Sequence, residues 1–340
     1  MVQFFTVGLG AGAVAAVTFS VLASGSSIAL LLFYLAPLPV MIAALGWSHW
    51  TGLLAALSGT LAVSFGFNLP VVLVFLVGIA LPAWWLGYLA LLARPAAAGA
   101  ATIAAGPALD WYPPGRLVLW AALLGALLVA LAVPAFGIDP DGVRATLKTG
   151  FERMIRQNTG TPADAPLVLP GVTDPERVLD ALAAALPPAL ASLVTVTLLF
   201  NLWLAGRAVS VSGRLPRPWP VLSALRLPMA SPVLLALSVA GSFLPGFAGL
   251  AAGLLAATLS IAFAALGLAV LHALAAPMKG RVLVLSVLYA GILLLGWPIL
   301  AVTLVGLADS LIDLRGRVAR DRRGGPPPGA PPRHPANDPE

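Results

Sequence analysis

Long apolar runs, separated by short polar or aromatic punctuation, set the pattern of this chain from its first residues. Val7 to Ala23 is one such run, Ser24-Gly25-Ser26-Ser27 interrupts it, and a second extends from Ile28 to about Gly46. Each matches the roughly 20 residues that a helix needs to cross a hydrocarbon layer, so the pair reads as a helical hairpin. Trp47-Ser48-His49-Trp50 suits the bilayer interface, where indole rings settle. A third span follows from Thr51 to about Phe67, broken by Asn68-Leu69-Pro70. A fourth runs from about Val71 to Ala93 with Trp84, Trp85 and Tyr88 near its end, and a fifth from about Leu117 to Phe136.

The pattern then changes. Between Gly137 and about Leu186, Val143, Leu147, Phe151, Met154 and Ile155 recur at helical spacing while Arg144, Lys148, Glu152 and Arg156 take other faces. That predicts a short amphipathic helix lying on the bilayer surface or against the bundle. Thr173-Asp174-Pro175-Glu176 has a Thr three residues before a Glu, the capping-box arrangement. It predicts a second helix N-capped by Thr173 that bends at Pro187-Pro188. A sixth span covers about Ala189 to Gly206. Ser231 to Ala276 is almost wholly apolar and divided by Phe243-Leu244-Pro245-Gly246, giving either two spans or one re-entrant hairpin and one span. The last span is Val282 to Leu307, with Pro298 inside it, and Arg315 to Glu340 reads as a disordered, basic, Pro-rich tail.

Composition names the solvent. Of 340 residues, 60% are hydrophobic and 9% charged, against roughly 25% charged in an ordinary soluble domain, so lipid must cover much of the surface. The first charged side chain is Arg94. Met1 to Phe5 lacks the basic start of a signal peptide, and the first segment is read as retained. The expected fold class is all-α, a polytopic transmembrane helix bundle of about eight spans (range about seven to nine). It would occupy residues 1–314, with the extramembrane region 137–186 and the tail 315–340 outside the bilayer.

Charge placement orients this bundle. Arg207, Arg214, Arg217 and Arg226 share a loop without an acid, and the tail is rich in arginine; both belong in the cytoplasm by the positive-inside rule. An even number of crossings must then separate them. A re-entrant Pro232 to Phe247 gives that parity, with both termini cytoplasmic, although Lys279 and Arg281 then face outward. The net charge of +6 is small and dispersed, and no nucleic-acid motif accompanies it. Cysteine is absent, which excludes disulfides and thiolate metal sites.

Candidate chemistry is sparse. No Asp or Glu lies mid-span, so a proton relay has little support. His49 and His272 sit near segment ends and read as interfacial rings. Phosphate-loop, H-E-x-x-H and G-x-S-x-G motifs are absent, and Ser48 beside His49 lacks the geometry for catalysis, so neither an enzyme nor a cofactor site is expected. Two patterns stand out. Gly8, Gly12, Ala16, Ser20 and Ser24 recur every four residues, with Ala11 and Ala15 beside them. Gly8, Ala11, Gly12, Ala15 and Ala16 thus form a candidate helix-docking face, for this bundle or for a partner's helix. At the other end, Asp309 and Asp313 share a helix face where the last span leaves the membrane. Together with Arg315 they form a candidate anchor, pairing with Arg315, Arg317 or a loop arginine.

On the charge-free amino-terminal half with its small-residue helix (Gly8, Gly12, Ala16) and the closing Gly306-Leu307-Ala308-Asp309-Ser310-Leu311-Ile312-Asp313-Leu314-Arg315, the chain resembles the YybS-like family. These are uncharacterised bacterial multipass proteins grouped with the substrate-binding S subunits of energy-coupling-factor transporters. The resemblance spans about residues 5–317. It implies a six-helix-like S-subunit core with added spans in the bacterial cytoplasmic (inner) membrane, binding a small molecule. It also implies docking on a transmembrane coupling subunit served by a separate ATPase; Ala11 and Ala15 fit the Ala-x-x-x-Ala face that such S subunits use. The chain departs from that pattern in its larger number of spans and its long loop. The expected function is therefore transport-related solute binding between helices, which calls for an enclosed polar cavity among the first spans. The alternative is a non-transporting scaffold or assembly factor acting through its surface helices and tail.

Overall fold

The computed structural model describes residues 2–95, 109–137, 139–162, 167 and 171–322. Most of these are helical, and six stretches are long and apolar enough to cross a membrane: Val2–Ser24, Ser27–Gly46, Leu69–Ala90, Pro114–Ala135, Pro175–Val211 and Gly246–Ala275. The chain is a multipass, all-α membrane protein. Its expected tail beyond residue 322, and the Ala/Gly stretch 96–106, lie outside the described residues.

Prolines decide where the first spans bend. α1 (Val2–Ser20) carries the small-residue face. The second span is divided into α2 (Ser27–Tyr34) and α3 (Pro37–Gly46), because Pro37 has no N–H to continue the ladder. The Tyr34 carbonyl left over is taken by the fully buried Asn201, whose Nδ2 donates to it at 2.8 Å and to Thr197 O at 2.8 Å. α4 (His49–Ser64) is capped by Ser48, whose side chain accepts from Thr51 N–H. α5 (Leu69–Phe75) and α6 (Leu81–Ala90) are joined by a wide turn at Leu76–Ala80, where Leu81 N–H bonds back to Leu76 O; Pro82 follows at once. Two short strands, β1 (Ala93–Pro95) and β2 (Leu109–Trp111), then pair antiparallel, a small β element that periodicity did not signal.

α7 (Pro114–Ala132) leads away from this end of the bundle to α8 (Pro140–Thr159), the amphipathic helix expected from residues 143–155. α9 (Pro175–Val211) returns as one helix of 37 residues that keeps Pro187 and Pro188 inside it. Its N-cap is Asp174, not Thr173: the Asp174 carboxylate accepts from Arg177 N–H at 3.1 Å, with Pro175 occupying the first helical turn. At about 1.5 Å per residue, α9 is roughly 55 Å long, well beyond the roughly 30 Å hydrocarbon thickness. Its first turns therefore project, and α8 is tied to them by Lys148, 2.6 Å from Glu176 and 3.0 Å from Asp180. These two acids hold the Lys148 ammonium above the usual lysine range.

After the basic loop come α10 (Ser231–Gly241) and α11 (Gly246–Ala275). α10, with 11 residues, rises only about 16 Å. The expected single last span, 282–307, is two helices, α12 (Arg281–Leu295) and α13 (Pro298–Ile312). Gly296 adopts φ +73 between them, and Pro298 opens α13 instead of lying within a helix. α13 runs back along α11, with Thr303 Oγ1 donating to Ser260 O at 3.4 Å and Gly306 set against Phe263 and Gly267. It ends where Asp313 meets Arg226 at 3.0 Å. Lys279 and Arg281 thus fall at the same end of the bundle as Arg226 and Arg315, and the charge conflict of a single last span disappears. Residues 315–322, read from sequence as the start of a disordered tail, belong to α14 (Leu314–Arg322).

The backbones meet through small residues. A Cβ built on Gly12 would lie 2.6 Å from Ala55 O of α4, whereas one on Gly10 would meet nothing. Gly12→Val should therefore lower the unfolding free energy of the detergent-solubilised protein by about 1–3 kcal/mol through overpacking, measured by denaturant titration. Gly10→Val serves as the control; equal loss in both variants would refute the close α1–α4 contact.

Candidate functional site

The expected small-residue face is occupied from within. Gly8, Gly12, Ala15 and Ala16 are buried, Ala11 is half-buried, and α4 lies against them, with Leu54 over Gly8 and Ala55, Ser58 and Gly59 over Gly12. Of the two readings of this face, packing inside the bundle is the one the structure builds. While α4 covers them, Gly8 and Gly12 are not open to a partner's helix. Phe19, Phe33 and Phe75 pack together between the first spans, with the Phe33 and Phe75 ring centroids 5.8 Å and 5.2 Å from that of Phe19.

The C-terminal residues are brought together. Asp309 and Arg315 pair at 2.8 Å with side chains only 2% and 11% exposed. The carboxylate also accepts from Arg315 N–H at 3.1 Å and Nε at 3.1 Å. The other guanidinium donors reach the loop, Nη1 to Ser223 O at 2.7 Å and Nη2 to Leu225 O at 2.7 Å. Asp313 sits in the left-handed region at φ +47, the sole non-glycine to do so among the described residues, and faces Arg226. Arg226 holds its carboxyl below the usual aspartate range. Helix α13 is thereby fastened to the 222–226 turn by one buried and one exposed ion pair.

A wide opening lies elsewhere, between α7, α9 and α11 beneath the 212–225 loop, with a volume of about 1000 Å³. Its walls are almost entirely apolar: Leu117, Phe200, Trp203, Ile261, Ala265 and Leu268 are representative. Phe200 and Trp203 are about half exposed, so the opening faces sideways into the membrane region. Polarity is confined to the loop end and the α11–α12 side, where Arg217, Ser223, His272 and Tyr289 contribute. His272 Nδ1 lies 2.8 Å from Leu268 O, and its ring packs edge-on against Tyr289 at 5.9 Å.

Among the described residues, Arg217 is the only charged side chain of the lining. Its Nη1 donates to Ala90 O at 3.0 Å and Tyr112 O at 3.3 Å, while its buried Nε meets no acceptor among the described residues. Burial lowers its pKa from the ordinary arginine value. The guanidinium also stands 5.9 Å from the Trp111 ring. Sequence reasoning counted Arg217 as one more topogenic arginine; the neighbouring Arg-Pro-Trp-Pro run at residues 217–220 was the available sign that this loop folds back onto the bundle.

No family model, no curated protein and no solved structure matches the chain.

The buried latch makes a direct prediction. Arg315→Ala strands the Asp309 charge and should cost about 3–5 kcal/mol of stability, whereas Arg317→Ala, at an exposed site, should stay within about 0.5 kcal/mol. Denaturant titrations that give the two variants the same small loss would refute the latch.

Proposed function

We propose that this chain is a transport-related membrane protein that binds a small, mainly apolar molecule in the groove between α7, α9 and α11. The observation that carries the reading is the apolar opening of about 1000 Å³, the size of cavity that encloses a drug-sized ligand. The chain performs no chemistry of its own, and energy for any directed movement comes from separate subunits. The resemblance to S subunits of energy-coupling-factor transporters supports a coupling subunit with its ATPase as the partner. Since α4 covers Gly8 and Gly12, such a subunit docks on another surface.

Orientation follows the arginines. Arg94, Arg116, Arg214, Arg217, Arg226, Lys279, Arg281 and Arg315 gather at one end of the bundle. By the positive-inside rule that end is cytoplasmic, in a bacterial inner membrane, with α8 on the far side and both termini inside. Asp309, Asp313 and Arg315 act as the anchor that sets the depth of α13.

Two measurements test these points. The chain has no cysteine, so a single cysteine can be placed at will. Gly160→Cys should react with a membrane-impermeant maleimide added to intact spheroplasts bearing an accessible outer face, and Gly280→Cys only after permeabilisation. The reverse pattern would overturn the orientation. Native mass spectrometry of the purified protein should show a retained small molecule, lost in Ala265→Phe, which fills the groove. A wild type carrying nothing would refute ligand binding.

A further inference from the structure

The groove is apolar along its length and cationic at one end, and we propose that its occupant is a single anionic lipid, acyl chain between α9 and α11, acidic headgroup at Arg217. The inference rests on the reading of this groove as a ligand site and names the ligand class.

Three observations converge on it. The lining from α9 and α11 offers Val196, Phe200, Trp203, Ile261, Ala265 and Leu268, a surface that a hydrocarbon chain can wet and that a polar solute cannot. Phe200 and Trp203 are half exposed, so a lipid can enter from the side without leaving the bilayer. At the loop end, Arg217 is a half-buried cation with no carboxylate partner among the described residues, and one of its donors is unused. Buried charges are ordinarily paired; Arg226 and Arg315 in the same region both have aspartates, and Arg217 does not. A phosphate or carboxylate headgroup supplies the missing anion, and guanidinium recognises either through charge-assisted hydrogen bonds. The depth is right as well: Arg217 bonds the Ala90 and Tyr112 carbonyls and lies beside Trp111, at the aromatic level where headgroups begin.

The test uses the full chain in nanodiscs made of equal parts phosphatidylglycerol and phosphatidylcholine with identical acyl chains, and native mass spectrometry after release into detergent. Wild type should retain one phosphatidylglycerol over phosphatidylcholine by about tenfold, the value of one charge-assisted contact. Arg217→Gln should bring the ratio near one, and Arg217→Lys should keep a reduced preference. Ala265→Phe, which leaves Arg217 untouched, should lose both lipids. If wild type and Arg217→Gln retain the two lipids in the same ratio, or if the preference survives Ala265→Phe, the inference is overturned. Retention of a neutral apolar molecule alone by both proteins also overturns it while leaving the groove a ligand site. A wild type that retains nothing removes both readings.

Discussion

Helices surrounded by hydrocarbon gain little from hiding apolar side chains, so how closely their backbones approach decides how they are held. Here the approach is made through glycine and alanine. Gly12 of α1 meets Ala55 and Gly59 of α4, Gly125 of α7 meets Ala191 and Thr195 of α9, and Gly306 of α13 meets Gly267 of α11. Ala15, Ala43, Ala55, Ala121 and Ala205 lie at 0% exposure, beside larger side chains such as Met41, Phe75 and Phe263 that are buried as fully. Where small faces meet, the bundle has no room for a ligand. The groove forms where Phe200 and Trp203 of α9 stand off from α11.

Close packing leaves few places for polar groups, and the chain uses those few to repair its own breaks. Pro37 frees the Tyr34 carbonyl, and Asn201, more than 160 residues away, reaches it. The loop from Ser212 to Pro228 has little regular structure, so its carbonyls and those of the neighbouring helix ends need donors. Arg315 serves Ser223 and Leu225, and Arg217 serves Ala90 and Tyr112. Arginine suits this work because its planar fork bonds several acceptors at once. Arginines of this end are thus also the residues that fix the 212–228 loop to the helices. Unlike Arg226 and Arg315, Arg217 has no carboxylate partner among the described residues.

The division between legible and illegible follows from the range of each interaction. The apolar runs marked most of the long helices, because twenty residues of hydrocarbon-crossing helix need only local hydrophobicity. The Gly8-Gly12-Ala16 stripe announced a close helix contact, and Asp309 and Asp313 announced partners on one face. Caps and breaks were less legible: Thr173 and Asp174 are both competent caps, and Pro298, read as lying inside one span, instead opens a second helix after Gly296 takes a positive φ.

What the chain by itself determined was that it must live in lipid, roughly where it crosses, and which end carries the positive charge. These depend on residue type summed over a local window. Tertiary structure alone decided that α4 covers the small-residue face, that residues 281–312 fold back as two short helices, and that Arg217 closes an apolar groove built from α7, α9 and α11. The first and the last join residues distant in sequence, Gly12 with Ser58 and Arg217 with Ala90, and nothing in local periodicity says which helix a given face will meet.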